Sequence, residues 1–275
     1  MQYLTCQSIE IPRLGFGTWK LGGAECIAGV KGALDAGYRH IDTAQAYDNE
    51  EEVGAGIQSS HVSRHEVFLV TKIWRDHMGA ESMRSSVIKS LKKLGTDYVD
   101  LLLLHWPVTE VPLEESLEAL EGLCREGFTR LIGVSNFPVA LLKQAEAMLP
   151  DRLACNQVEY HPFLSQNAVM QWTRSHGMFM TAFSPLARNK LLQAPEISTI
   201  ANNHSRSVAQ IALRWLMQQE GVVAIPKAAQ HQHMLSNIAI FDFTLSPHEM
   251  QVVDALASPD GRLINPSWAP EWDSA

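Results

Sequence analysis

Four residues of chemically useful type stand about one strand-plus-helix apart. Asp42 and Tyr47 follow the apolar stretch from Tyr38, Lys72 closes Val67-Phe68-Leu69-Val70-Thr71, and His105 follows Asp100-Leu101-Leu102-Leu103-Leu104. From Asp42 to Lys72 is 30 residues and from Lys72 to His105 is 33, close to the roughly 30 residues of a strand–helix–strand unit. Strand ends repeated at that interval gather on one rim of a parallel sheet.

A phenol with a reference pKa near 10 is a weak acid at neutral pH, and a nearby cation favours its ionised form. Lys72 is placed to be that cation, and Asp42 is the counter-charge that a partly desolvated ammonium needs. His105, beside Trp106, can hydrogen-bond an oxygen or pass a proton. Such a group polarises a carbonyl and protonates its oxygen as hydride arrives. Singly, Asp42 reads as a cap, Lys72 as a rim charge and His105 as a satisfied core histidine. Together, at three successive strand ends, they read as a reaction site, since catalytic residues of barrel enzymes occupy those ends.

Eight strands are expected to position them: Tyr38 to Thr43, Val67 to Lys72, Tyr98 to His105, Leu131 to Ser135, Cys155 to Glu159, Met178 to Ser184, Val222 to Pro226 and Ile238 to Phe243. Short apolar runs alternating with amphipathic stretches predict a parallel sheet. The helical pattern is clear at Met83, Val87, Leu91 and Leu94, and at Val208, Ile211, Ala212, Trp215 and Leu216, with Gly95 and Gly221 as expected C-terminal stops. Leu4 to Gly17 alternates as a small hairpin able to plug the barrel floor, and Ser258 to Ala275 reads as an irregular tail. The expected architecture is an α/β fold, a (β/α)8 TIM barrel forming one domain over residues 1–275. The tail with Trp268 and Trp272 either clamps the outside or folds over the mouth.

A formal net charge of −8 argues against a nucleic-acid binder, whose affinity comes from clustered Lys and Arg. Cysteines 6, 26, 124 and 155 have no C-x-x-C spacing, so neither a disulfide framework nor a metal ribbon is implied, and reduced thiols fit a cytoplasmic setting. Neither a secretory signal nor an apolar run of membrane-spanning length is read. Three motifs are decoys. Gly15-Phe16-Gly17-Thr18-Trp19-Lys20 lacks the third glycine of a dinucleotide fingerprint, Gly133-Val134-Ser135-Asn136-Phe137 lacks the last glycine of a nucleophile elbow, and His65-Glu66 has no second histidine.

Over nearly its whole length the chain resembles the aldo-keto reductases. The likeness rests on Leu14-Gly15-Phe16-Gly17-Thr18-Trp19-Lys20, Gly37-Tyr38-Arg39-His40-Ile41-Asp42-Thr43-Ala44, Thr71-Lys72-Ile73-Trp74 and Leu104-His105-Trp106-Pro107. It continues in Gly133 to Phe137, Asn156-Gln157-Val158-Glu159-Tyr160-His161-Pro162, Ser184-Pro185-Leu186 and Ile225-Pro226-Lys227. The resemblance implies Tyr47 as general acid, Asp42 and Lys72 lowering its pKa, and His105 orienting the carbonyl oxygen. It implies Ser135, Asn136 and Gln157 on a nicotinamide carboxamide, Phe183 stacked on the ring, and Ser184, Leu186, Lys227, His233 and Asn237 along the rest of the cofactor.

Where this family commonly carries an arginine for the 2′-phosphate, the chain has His233, which lacks the guanidinium fork. NADPH is the expected cofactor, with weaker phosphate selection and NADH possible. Trp19, Trp74 and Trp106 each follow a rim motif and are expected to wall an aromatic pocket. The tail is similar to that of bacterial 2,5-diketo-D-gluconate reductases, which implies small aldehydes and ketones such as 2,5-diketo-D-gluconate or methylglyoxal. A monomer is the family default. The alternative is a nicotinamide-binding regulatory subunit without turnover, or a structural relative, either of which would break the four-residue set.

Overall fold

Strands buried along their whole length carry the molecule. Phe68–Ile73, Val99–Leu104 and Leu153–Glu159 have no exposed position, the pattern of a parallel sheet covered on both faces. The computed structural model describes residues 1–273; Ser274 and Ala275, the end of the expected tail, lie outside the described residues. A hairpin, β1 (Tyr3–Cys6) and β2 (Ile9–Pro12), precedes eight parallel strands: β3 (Phe16–Gly17), β4 (His40–Asp42), β5 (Phe68–Ile73), β6 (Val99–Leu104), β7 (Thr129–Ser135), β8 (Leu153–Glu159), β9 (Phe179–Phe183) and β10 (Val222–Ala224). They neighbour one another in chain order. The crossovers are α1 (Gly23–Asp35), α2 (Glu50–Gln58), α3 (Ala80–Leu94), α4 (Leu113–Arg125), α5 (Val139–Met148), α6 (Asn167–Ser175), and the pair α7 (Pro195–His204) and α8 (Val208–Met217). After β10 come α9 (His231–Ile238) and α10 (Pro247–Asp254).

The sheet curls until its edges meet. Leu14 forms a parallel bridge with Ala224, and Gly15 N–H and Gly17 N–H donate to the carbonyls of Ala224 (2.8 Å) and Pro226 (3.1 Å). At this seam Gly17 is required, because a Cβ there would stand 2.8 Å from the Ile225 carbonyl oxygen. Side chains alternate across the curled sheet. Leu69, Ile73, Leu102 and Leu104 pack with the helices, whereas Phe68, Val70, Leu101 and Leu103 join Phe179 and Val223 in a separate interior cluster with Cys6 and Ile11 of the hairpin. The hairpin therefore seals the N-terminal end of the interior, as the alternation from Leu4 onward suggested. Continued by two residues, the same alternation turns Lys72 and His105 inward at the opposite end.

The expected strand list needs two corrections. It lacks β3, two residues long, which falls within the stretch read as the hairpin; so short an element carries no periodicity. The eighth expected strand, Ile238 to Phe243, does not form. Ile238 ends α9, and the following loop buries Ile240 fully and Phe241 and Phe243 partly against the core, held by Gln210 Nε2 donating to the carbonyls of Ser236 (3.0 Å) and Ala239 (2.9 Å). Its apolar residues are satisfied by packing rather than pairing. Met83, Val87, Leu91 and Leu94 are buried on α3, and Gly95 caps it with φ 65°. Gly221 does not cap α8, which ends at Met217; its φ of 68° serves the turn into β10.

Candidate active site

At the C-terminal ends of the strands a cavity of about 690 Å³ opens, lined by residues from nearly every rim segment. β4 delivers Asp42 and β5 delivers Lys72, both buried. Lys72 Nζ donates to Asp42 Oδ1 (2.6 Å) and the Thr43 carbonyl (2.8 Å), and lies 3.5 Å from the Tyr47 hydroxyl. Tyr47 comes from the short 3-10 turn Gln45–Tyr47 after β4 and is half-buried. His105, one residue past β6, sets its ring edge-on to Tyr47 at 5.7 Å between centroids and to Trp74 at 5.3 Å. All four expected residues meet.

Their protonation states follow from this packing. Burial pulls the Lys72 ammonium down, but Asp42 and Tyr47 outweigh it and hold the pKa above its ordinary value. Burial, then the Lys72 charge, places His105 well below the usual histidine value, so the imidazole is neutral at pH 7. For Tyr47 the result differs from the expectation. Burial raises the phenol, Lys72 opposes this and Asp42 adds to it, and the balance lies above the ordinary tyrosine value. The phenol is a protonated donor at rest. Asp42 contributes by keeping Lys72 charged, which leaves an ammonium 3.5 Å from the phenol oxygen.

The residues expected on a cofactor are brought together in part. Asn136, Gln157, Phe183, Ser184 and Lys227 line the cavity. Asn136 and Ser184 hold left-handed backbone, φ 63° and 49°, strain of the kind stored at functional sites. Asn136 Nδ2 donates to the His105 carbonyl (2.9 Å) and to Ser135 Oγ (3.1 Å), while Asn136 Oδ1 is buried with no partner among the described residues. Gln157 Nε2 donates to Asp42 Oδ2 at 2.8 Å. Two side-chain amides with their donors engaged leave carbonyl oxygens to accept, which fits the NH2 of a primary carboxamide. Ser135 Oγ donates to the Gln157 carbonyl (2.8 Å) and accepts from Asn136, so it buttresses this pair from below. Leu186, His233 and Asn237 do not line the cavity; His233 is exposed on α9, where Asn237 is buried.

Trp19, Trp74 and Trp106 all line the cavity, and the tail folds over the mouth and adds Leu263, Ile264, Asn265, Pro266 and Trp268. Trp268 meets Trp106 edge-on at 4.9 Å and Trp74 at 6.1 Å, and the Arg75 guanidinium lies 4.0 Å over its ring. Sequence reasoning missed the bond from Gln157 to Asp42 and the cavity-lining Arg188, which lies 4.9 Å over Trp19; of the two placements left open for the tail, the structure has the one over the mouth. Neither the bond nor Arg188 left a signal in the sequence, whereas the tail did, in its two tryptophans.

These features sit in a chain whose residues 13–258 match the Aldo/keto reductase family model. The chain belongs to the aldo/keto reductase family. It is 41% identical over 269 residues, 96% of this chain and 100% of the other, to methylglyoxal reductase DkgB of Escherichia coli O157:H7. The crystal structure of a protein described as a 2,5-diketo-D-gluconic acid reductase B superposes with a TM-score of 0.97 at 44% identity, covering 100% of this chain and 98% of that one. The aldo-keto reductase of Bombyx mori in complex with NADP does so with a TM-score of 0.90 at 30% identity, covering 97% and 95%. The aldo/keto reductase motifs are thus carried on a matching backbone throughout.

Proposed function

We propose that this chain reduces small aldehydes and ketones to alcohols with NADPH, Tyr47 being the acid. The observation that carries the reading is the buried Asp42–Lys72 pair ending 3.5 Å from the Tyr47 hydroxyl, beside a neutral His105 in one cavity. When bound, the reduced nicotinamide supplies a hydride to the carbonyl carbon. Asn136 and Gln157, buttressed by Ser135, hold the carboxamide through their free carbonyl oxygens, and Phe183 offers its face to the ring. His105 and Tyr47 hold the substrate oxygen between them. Tyr47 passes its proton to that oxygen, Lys72 stabilises the resulting phenolate, and solvent at the mouth reprotonates it. The tryptophan walls exclude other water from the reacting centre.

NADPH is favoured by Lys227 on the cavity rim and by the start of α9, where the His231 and Gln232 amides have no partner among the described residues while His233 N–H donates to the Gln230 carbonyl; Ser184, Leu186, His233 and Asn237 are assigned to the rest of the cofactor by the family resemblance. His233 in place of an arginine leaves NADH competent. The names of the relatives make methylglyoxal and 2,5-diketo-D-gluconate the substrates of choice for a test. The chain acts as one domain over residues 1–275, a closed (β/α)8 barrel supported by the Leu14–Ala224 seam, and as a monomer whose partner is the carbonyl compound.

The test follows nicotinamide absorbance with NADPH and NADH in turn, against 2,5-diketo-D-gluconate, methylglyoxal and 4-nitrobenzaldehyde. Oxidation with any of them is expected. Tight cofactor binding with no turnover on the whole panel would replace this reading with that of a nicotinamide-binding subunit.

A further inference from the structure

The carboxylate of Glu159 has no exposure to solvent and does not contact the reacting group. It ends β8, and two of its three partners are in the tail. Oε1 accepts from the Leu263 amide at 2.7 Å and Oε2 from the Ile264 amide at 2.9 Å. His161 Nε2 lies 2.9 Å from Oε1. The His161 tautomer follows from its other nitrogen: Nδ1 accepts from the Phe163 amide (3.3 Å), so Nε2 carries the hydrogen and donates to Glu159. A buried carboxylate is tolerable only when its lone pairs are taken, and here three donors take them, two from backbone more than a hundred positions away.

The tail is pressed onto the same loop just upstream. Ser258 N–H donates to the Phe163 carbonyl (3.2 Å), and a Cβ on Gly261 would fall 1.6 Å from that oxygen. Immediately downstream of the two bonded amides come Asn265, Pro266 and Trp268, which wall the cavity. Asn265 Oδ1 accepts from Trp272 Nε1 (2.9 Å), and the Arg262 guanidinium lies 3.7 Å over the Trp272 ring.

We propose that Glu159, oriented by His161, is a positioning residue that latches the tail at Leu263 and Ile264 and so fixes the substrate-facing wall of the cavity. The effect on substrate rests on the reductase reading above; the latch itself does not. Glutamine at 159 keeps the shape but turns an N–H toward an N–H, so one tail amide loses its acceptor and the tail lifts.

Arg262 is the last Lys or Arg in the chain, and the preceding one is Lys227. Limited trypsin digestion followed by mass spectrometry therefore reads the latch directly, as release of the 13 residues from Leu263 to Ala275. In full-length Glu159→Gln this cleavage is expected to be about tenfold faster or more than in the parent, with cleavage at Lys227 unchanged, because proteolysis follows local opening. Ile264→Pro removes one of the bonded amides from the tail side and is expected to give the same selective release, so the inference stays testable if the buried substitution fails to fold. With 4-nitrobenzaldehyde, KM is expected to rise about tenfold in Glu159→Gln while kcat changes less, the signature of lost binding rather than lost chemistry. An unchanged rate at Arg262 in both variants overturns the latch. Selective release in a protein that reduces nothing on the panel upholds the latch while removing the reductase reading.

Discussion

Replacing Lys72 by methionine tests the buried relay most directly. The change keeps length and apolar volume but removes the ammonium that donates to Asp42 Oδ1 and the Thr43 carbonyl. Asp42 is then a carboxylate with 1% exposure and, among the described residues, only Gln157 as a side-chain donor. Breaking a buried pair by removing one partner costs about 3–5 kcal/mol. The carboxyl can escape by taking up a proton, which at pH 7 costs about 4 kcal/mol from a reference pKa near 3.9. Those two figures agree, so the loss should be about 4 kcal/mol at pH 7, shrinking by about 1.4 kcal/mol for each pH unit of acidification. At about 2.1 cal/mol/K per residue over 275 residues, Tm falls by about 7 °C. Lys72→Met with Asp42→Asn removes both charges and should recover most of that loss, although neither variant reduces a carbonyl. Thermal and urea unfolding of the two single variants and the double variant measure the coupling. A Lys72→Met loss below about 1 kcal/mol, or a double variant no more stable than Lys72→Met, would refute the claim that these two charges are held by each other.

Three further outcomes follow. Tyr47→Phe should lower kcat by about 10²–10⁴-fold while the cofactor Kd, read by quenching of tryptophan fluorescence, stays within about twofold; matched losses in both would take the acid role away from Tyr47. His233→Arg should tighten NADPH binding about tenfold relative to NADH by restoring a charged fork for the 2′-phosphate, and an unmoved ratio would locate the phosphate grip elsewhere. His40 and His105 both titrate below the ordinary histidine value because of burial, so the unfolded chain binds more protons than the folded one once pH falls below about 6.5, the pKa of a free histidine. Stability should therefore fall as pH drops below that value, by up to about 1.4 kcal/mol per unit for each histidine, and His105→Gln should flatten part of the slope in a Tm–pH profile.

The candidate site was legible because its residues sit at the ends of strands whose buried runs are conspicuous. Lys72 and His105 continue the inward-facing alternation of β5 and β6, and that register is readable from the chain. Where the reading failed, local pattern and tertiary outcome part. β3 is two residues held by the seam to β10, and the loop after Ile238 buries strand-like residues without a strand. Equally invisible was the direction of the Tyr47 shift, since proximity to Lys72 suggests lowering while burial, which depends on the whole cavity, wins. The bonds from Glu159 to Leu263 and Ile264 span more than a hundred positions and involve main-chain amides, which leave no mark on residue identity.

The hairpin at the N-terminal end of the sheet has a kinetic consequence. With Cys6 and Ile11 packed among the interior side chains there, the interior is stopped at that end, and the cavity under Trp268 opens at the opposite one. Asn136 and Gln157 are buried in it whereas Trp19 and Trp268 are exposed, so an occupant held by the two amides would arrive first and depart last. On the reductase reading proposed above, substrate would then queue behind cofactor, alcohol would leave ahead of spent cofactor, and an alcohol lingering at the threshold would hold the whole cycle shut.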